Sequence, residues 1–375
     1  MLERDFMNSV SGAPSGRVVS IDALRGFDMF WIIGGDAFFR ALFQLINTPW
    51  ALTLLDQLEH KEWHGFTFYD LIFPLFLFIV GAAMPFAISK RLQRGDNRRE
   101  LYVHIMKRTL ILFALGLVYG HILEFDFDRF RWAGVLQRIS LCYFFAAVIF
   151  MNFRIKGQAI AAGSILVGYW AILTLVPVPG FGAGILTPEG NLASYIDQLF
   201  LPGRFCCFQF GDNEGILSTI PAIATTLLGG LAGHLLRSAM DQRQKLLGLI
   251  GAGIGSLVIA LLWDLLFPIN KLLWTSSYVL FAAGWSFLLL ALFYWVIDMR
   301  RYQKWAFPFI IIGLNPITIY VAQSVFDFGS IARIFVGGFV DHTGVFQPVF
   351  WVACVFAVKW LFLYFLYRQK IFLKA

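Results

Sequence analysis

The residues able to do chemistry gather in two places in this sequence. His60 and His64 lie four residues apart in the stretch 58–69, with Trp63 between them, and Asp70 comes directly after at the mouth of an apolar run. Histidine is the side chain best suited to moving a proton near neutral pH, and a neighbouring carboxylate orients and strengthens an imidazole base. Asp36 is such a carboxylate: it stands toward the far end of the preceding apolar run, on the side where that run meets the His60 loop. The pair points to general-base chemistry, with Asp36 expected to hold the His60 tautomer. The plainer alternative is a solvated loop histidine. Two histidines without a third ligand at suitable spacing do not make a metal site, so no metal is expected. In the second place Lys107 and Arg108 open another apolar run, where an arginine can hold a phosphate in a fixed fork.

These groups must be positioned by elements that live in lipid. The 30 Lys and Arg and 23 Asp and Glu are 14% of 375 residues, beside 59% hydrophobic residues. A soluble domain carries about 25% charged residues, so a water-facing fold is excluded, and so is intrinsic disorder. Apolar runs of about 20 residues, enough to cross roughly 30 Å of hydrocarbon as helix, recur along the chain. There are ten, at 21–44, 66–88, 104–122, 132–151, 158–177, 216–236, 245–267, 274–297, 305–327 and 346–367. The stretch 331–340 is too short and glycine-rich for an eleventh. The expected fold class is therefore all-α: a polytopic integral membrane helical bundle, one domain over 1–375, with an outer loop at 178–215 that carries a short surface helix near 194–200. No cleavable signal peptide is read before the first run.

Loops rich in Lys and Arg stay cytoplasmic. Eighteen of the 30 basic residues fall in one set of alternate loops and six in the other. That bias places both termini in the cytoplasm and makes the net charge of +7 a topology signal, so no nucleic acid is expected. The basic run 90–99 is expected to meet anionic lipid. On the outer side the same layout gathers Arg138, Glu214, Asn270 and Lys271 with the His60 loop, and Asn315 sits deeper beside Pro316, where a broken turn would free backbone groups to line a cavity. The first run also holds Asp22 and Arg25 three apart and Asp36 and Arg40 four apart, so each pair can meet on one helix face. Cys206 and Cys207 are adjacent in the outer loop, and neighbouring cysteines bridge only with strain, which favours a structural or incidental role.

Seven stretches in register resemble the transmembrane N-acetyltransferases related to heparan-α-glucosaminide N-acetyltransferase. They are Ser-Ile-Asp-Ala-Leu-Arg-Gly from Ser20, His-Lys-Glu-Trp-His-Gly from His60, the apolar run from Asp70, Gly-Val-Leu-Gln-Arg from Gly134, Glu-Gly-Ile-Leu-Ser-Thr-Ile from Glu214, the run from Asn270 to Tyr278, and Gly-Leu-Asn-Pro from Gly313. The resemblance implies a bundle that takes acetyl-CoA at the cytoplasmic face and acetylates the amine of a glucosamine at the opposite face. It carries the active-site histidine onto His60, its partner position onto Asp36 and a CoA-phosphate arginine onto Arg108. Departures are Asp36 in place of an amide, Asn213 interrupting an Asp-Pro-Glu-Gly motif, and no large outer amino-terminal domain. They suggest a bacterial-type member in the inner membrane, acting on a small amino sugar or cell-wall fragment.

The expected mechanism is direct transfer with neutral His60 as base, or else an acetyl-histidine intermediate. Lys107, Arg25 and Lys374 join Arg108 as the groups expected at the cofactor. Asp70, Arg138, Glu214, Asn270, Lys271 and Asn315 are expected at the acceptor, and a homodimer is a candidate assembly. The competing class is a secondary transporter of a sugar or organic anion, since intramembrane charges and interrupted helices belong there too.

Overall fold

The computed structural model describes residues 18–93, 95–127 and 129–372. Among the described residues nine helices are long and apolar enough to cross a membrane: α1 (Val19–Ile46), α3 (Phe68–Arg91), α4 (Arg98–Tyr119), α5 (Val135–Asn152), α6 (Ile155–Leu175), α8 (Thr219–Arg237), α9 (Gln242–Asp264), α10 (Ser276–Met299) and α14 (Gly344–Arg368). A tenth crossing is the bent pair α11 (Lys304–Leu314) and α12 (Pro316–Val325), which meet at 62°. Short helices α2 (Pro49–Asp56), α7 (Leu192–Phe200) and α13 (Phe328–Val340) and a hairpin of β1 (Cys207–Phe208) and β2 (Gly211–Asp212) complete the chain. The chain is an integral membrane protein built as a polytopic helical bundle, and the ten runs read from the sequence match these crossings to within a few residues. The apolar stretch at 331–340 falls in α13, which has 13 residues and is too short to span.

Local sequence starts and breaks these helices. Asn97 and Glu100 form a capping box at α4, Asp241 and Gln244 another at α9, and the Thr275 hydroxyl accepts from the Tyr278 amide at α10. Pro316 has no N–H to continue the ladder, and Asn315 before it leaves the helical region (φ −131°, ψ 49°), so the crossing breaks there. In α1 the break is a π turn, Trp31–Gly35, with Gly34 at φ 142°, a left-handed value that suits glycine.

Lipid tails offer no hydrophobic drive between helices, so close backbone packing does that work. A Cβ on Gly229 would stand 1.9 Å from the Phe78 carbonyl oxygen and one on Gly81 1.9 Å from that of Thr226, so α3 and α8 touch backbone to backbone. A Cβ on Gly26 would stand 1.6 Å from the Phe309 oxygen, which locks α1 to α11 in the same way. These contacts set the two helices that carry Asp36 and Asp70. At the periphery α9 shows Val258, Leu261 and Leu262 to its surroundings, as a lipid-facing helix must.

Candidate active site

The His60 loop closes over the start of α3. Thr67 and Asp70 form a capping box: Asp70 Oδ2 accepts from the Thr67 amide at 3.1 Å and from its hydroxyl at 3.1 Å. That arrangement leaves Oδ1 for the loop, and it lies 2.7 Å from His60 Nδ1 and 3.2 Å from Lys271 Nζ. The Asp70 side chain is 1% exposed and that of His60 is 51% exposed, so the carboxylate is sealed while the imidazole stays open. Assigning the Nδ1 proton to the bond with Asp70 leaves a lone pair on Nε2, the state a general base needs, on a ring that stays half exposed.

Lys271 arrives from the short loop before α10. The Asn270 side-chain oxygen accepts from the Leu273 amide (2.9 Å), the Asn270 amide donates to the Thr275 hydroxyl (3.0 Å), and Trp274 takes a left-handed φ of 52°. This tight turn sets the ammonium 2.9 Å from His60 Nδ1 and 3.3 Å from Nε2. Burial pulls Lys271 below the ordinary lysine range, against the opposing pull of the Asp70 carboxylate. The Asn270 side-chain amide meets His64 Nδ1 at 3.3 Å, and the Gly65 amide donates to the Ile269 carbonyl at 2.8 Å, so the two loops are joined twice. Burial lowers His64 in turn, with Asp264 opposing.

Asp36 was expected to orient His60, and the structure gives that contact to Asp70. Asp36 Oδ2 instead accepts from the Tyr69 hydroxyl at 3.2 Å, and Arg40 Nε stands 3.9 Å away. The Tyr69 ring lies 5.0 Å from the His60 ring, so Asp36 reaches His60 through one intervening side chain. Arg40 turns to Glu59 and the Leu58 carbonyl, which ties the loop down just before His60. The Thr-x-x-Asp spacing at Thr67 and Asp70 was the available signal for the Asp70 role.

Arg138 is fully buried on α5. It donates to Ser218 and lies 4.8 Å over the Trp274 ring, and its Nε and Nη1 have no hydrogen-bond partner among the described residues. Glu214 is engaged by Arg131, which also holds Asp212 through Nε at 2.7 Å. The hairpin packs onto the same loop through Phe208 and Trp63, 5.4 Å apart, and its Cys206 and Cys207 are bonded to each other.

Of the remaining expected residues, Arg25 and Asn315 lie toward the other end of the bundle, while Lys107 and Arg108 are the tenth and eleventh of the 22 residues of α4 and do not open that crossing as expected. Arg25 meets Asp22 at 3.2 Å and the Gly313 carbonyl at 3.3 Å. The Asn315 side chain donates to the Ile371 carbonyl at 3.0 Å, beyond the end of α14, so it belongs with Arg25 and not with the His60 cluster. The reason is length: the α-helical part of α11, Phe307–Leu314, supplies only two turns from that end before it breaks. Arg108 lies 4.6 Å over the Tyr143 ring with its Nε buried and without a partner among the described residues, and Lys107 is exposed. Lys374 lies outside the described residues.

Within the bundle lies a small apolar cleft, walled by Met29 and Ile32 of α1, Phe73 and Phe76 of α3, Leu136 and Ile139 of α5, and Ile317 and Tyr320 of α12. Helical spacing connects it to both clusters, since residues three or four apart share a face. Phe73 is one turn past Asp70, Met29 one turn past Arg25, and Ile139 one turn before Tyr143, whose ring carries Arg108.

Comparison with known proteins adds a pattern of the same extent. Residues 17–184 match the family described as Domain of unknown function (DUF5009). Heparan-alpha-glucosaminide N-acetyltransferase from Mus musculus is 27% identical over 381 residues, covering 87% of this chain and 56% of the relative. The Homo sapiens protein of the same name is 29% identical over 324 residues, covering 72% of this chain and 49% of the relative. Most of this chain resembles heparan-alpha-glucosaminide N-acetyltransferase. The resemblance carried by the seven motifs is thereby borne out, and the chain spans about half the length of the curated relatives it matches.

Proposed function

We propose that the chain is an acetyl-CoA-dependent N-acetyltransferase that moves an acetyl group across the membrane onto the amine of a glucosamine-type sugar. The observation that carries this reading is the His60–Asp70–Lys271 cluster, set one helical turn from an apolar cleft whose walls also lie one turn from Arg25 and from the Tyr143 ring that carries Arg108. Arg108 and Lys107 fit a phosphorylated cosubstrate: the buried Arg108 Nε has no acceptor among the described residues, and Lys107 stands exposed one residue away. Bound acetyl-CoA would supply a thioester as the activated acetyl donor.

His60 Nε2 takes the proton from the attacking amine, and Asp70 holds Nδ1–H and stabilises the imidazolium that forms. The Lys271 ammonium, within 3.3 Å of Nε2, is placed to donate to the oxygen on which negative charge develops. A new amide C–N bond forms, the thioester C–S bond breaks, and the thiol leaves with a proton. Asp36 sets the Tyr69 ring on which His60 rests. Arg138, Glu214 and Asn270 shape the acceptor side, and Arg25, Asn315 and Lys374 belong to the cofactor side. The bundle works as one transmembrane domain with both termini in the cytoplasm, the outer loop 178–215 capping the acceptor face, and a bacterial inner membrane as its location.

The broken crossing at Asn315 and Pro316 favours a second reading, a secondary transporter, because interrupted helices line transport sites. Vesicles holding the protein and loaded with acetyl-CoA decide between them. External glucosamine becoming N-acetylated supports the transferase; solute uptake without acetylation overturns it.

A further inference from the structure

Lys359 sits thirteen residues into α14's apolar core helix, Gln347–Arg368, and has no carboxylate within ion-pair distance among the described residues. An ammonium at such depth is retained only where dipoles or function hold it. Its Nζ donates to the Ile33 carbonyl at 2.8 Å and to Gln323 Oε1 at 3.3 Å. Ile33 lies inside the π turn of α1, where the backbone ladder is shifted: the Asp36 amide reaches back to Trp31 and not to Ile32. Lys359 therefore binds the backbone inside the irregular turn itself. The same face of α14 grips the turn a second time through Phe356, one turn earlier. Its ring packs 5.3 Å from Phe30 and lies 3.6 Å from where a Cβ on Gly34 would stand.

The turn governs the aim of Asp36. That residue is the first past Gly35, so the extra residue in the turn sets the face of α1 from which its carboxylate meets Tyr69. A regular helix through 31–35 would rotate every later position by roughly 100°. We propose that Lys359 is a positioning residue for the transfer site: by holding the Ile33 carbonyl it keeps the π turn in place and so aims Asp36 at Tyr69, the ring against which His60 rests. Gln323, the other acceptor, is one turn past Tyr320 in the cleft wall, so the same ammonium ties α1, α12 and α14 together beside the cleft. This role rests on the transferase reading given above.

The test compares wild type, Lys359→Met, Asp36→Asn and the double variant, as full-length protein in detergent or vesicles, with acetyl-CoA and glucosamine. Lys359→Met keeps the length and loses the ammonium. Its kcat is expected to fall by up to the roughly tenfold loss of Asp36→Asn, with KM for acetyl-CoA within about twofold of wild type. In the Asp36→Asn background it is expected to cost nothing further, because both changes break one chain of contacts. Unchanged kcat, or losses that multiply in the double variant, overturns the role. Hydrogen exchange over residues 31–37 gives a readout independent of turnover: faster exchange in Lys359→Met supports the pin and unchanged exchange overturns it. If Lys359→Met does not accumulate, Gln323→Leu, which removes one acceptor and leaves the lysine, is expected to give a smaller loss of the same pattern, and a KM effect in its place counts against the proposal. Active wild type with an unimpaired Lys359→Met counts against this role alone, whereas wild type inert toward glucosamine counts against the transferase reading alone.

Discussion

His60 Nδ1 and Asp70 Oδ1 are 2.7 Å apart, and the second oxygen of the same carboxylate caps the start of α3. The contact therefore ties an open loop histidine to the end of a rigid transmembrane helix. A base mounted this way keeps its orientation whatever the rest of the loop does.

Asp70→Asn should cost much more than Asp36→Asn. An asparagine can keep the helix cap but no longer accepts the Nδ1 proton as an anion, so turnover is expected to fall by about 10²–10⁴-fold. Asp36→Asn acts one side chain further out, and a loss of about tenfold is expected. Steady-state rates with glucosamine decide the order, and equal losses would restore Asp36 as the direct partner.

Lys271 gives a pH signature. Burial lowers its proton affinity, so the ammonium is lost at a lower pH than an exposed lysine would lose it. If that ammonium stabilises the developing oxyanion, kcat declines as pH rises through the lowered value. Lys271→Arg, which holds its charge throughout, should flatten that decline. A decline of the same shape in the arginine variant assigns it to another group.

Arg108→Ala should weaken acetyl-CoA binding by about 10- to 100-fold, the range for losing hydrogen bonds to a charged group. Calorimetric titration of the solubilised protein checks it, and an unchanged Kd removes the phosphate role.

Filling the cleft should stop transfer without touching either end. Ile139→Trp is expected to lower kcat at least tenfold, because the acyl arm must lie where the indole would go. Val258→Trp on the lipid face of α9 adds the same bulk and should leave the rate near wild type. Equal behaviour of the two variants would take the cleft out of the path.

Asp197 in α7 makes the outer cap sensitive to pH. Burial pushes its carboxyl up to about 6, although the Ile216 and Asp212 amides favour the charged form. A folded value above the unfolded 3.8 means that its stabilising contribution is full below that pH and is lost as pH rises through about 6. Limited proteolysis of 178–215 should be slower at pH 5 than at pH 7.5 after correction for protease activity. Asp197→Asn should remove the difference, and a wild-type loop cut equally fast at both pH values defeats the idea.

The bundle was legible because lipid demands one repeated solution, about 20 apolar residues per crossing, and charge bias orders the loops between them. His60, Asp70, Asn270 and Lys271 were all visible as polar residues at one end. Which carboxylate meets His60 was not, because the choice depends on a capping box at Thr67 and on a π turn that rotates Asp36, and neither changes hydropathy. Asn315 was misplaced for a related reason: its crossing is two half-helices, and a hydropathy window cannot say at which depth the break falls. The contact of Lys359 was not legible either, since its acceptor is a backbone carbonyl inside the π turn of α1.

The apolar lining of the cleft bears on electrical insulation. Met29, Ile32, Phe73, Phe76, Leu136, Ile139 and Ile317 offer an ion no substitute for its hydration shell, and narrow apolar passages shed water. In the proposed reading an acetyl group on a flexible thioester arm changes compartments while protons and alkali cations do not. The bundle would then run continuously in an energised membrane without draining the voltage across it.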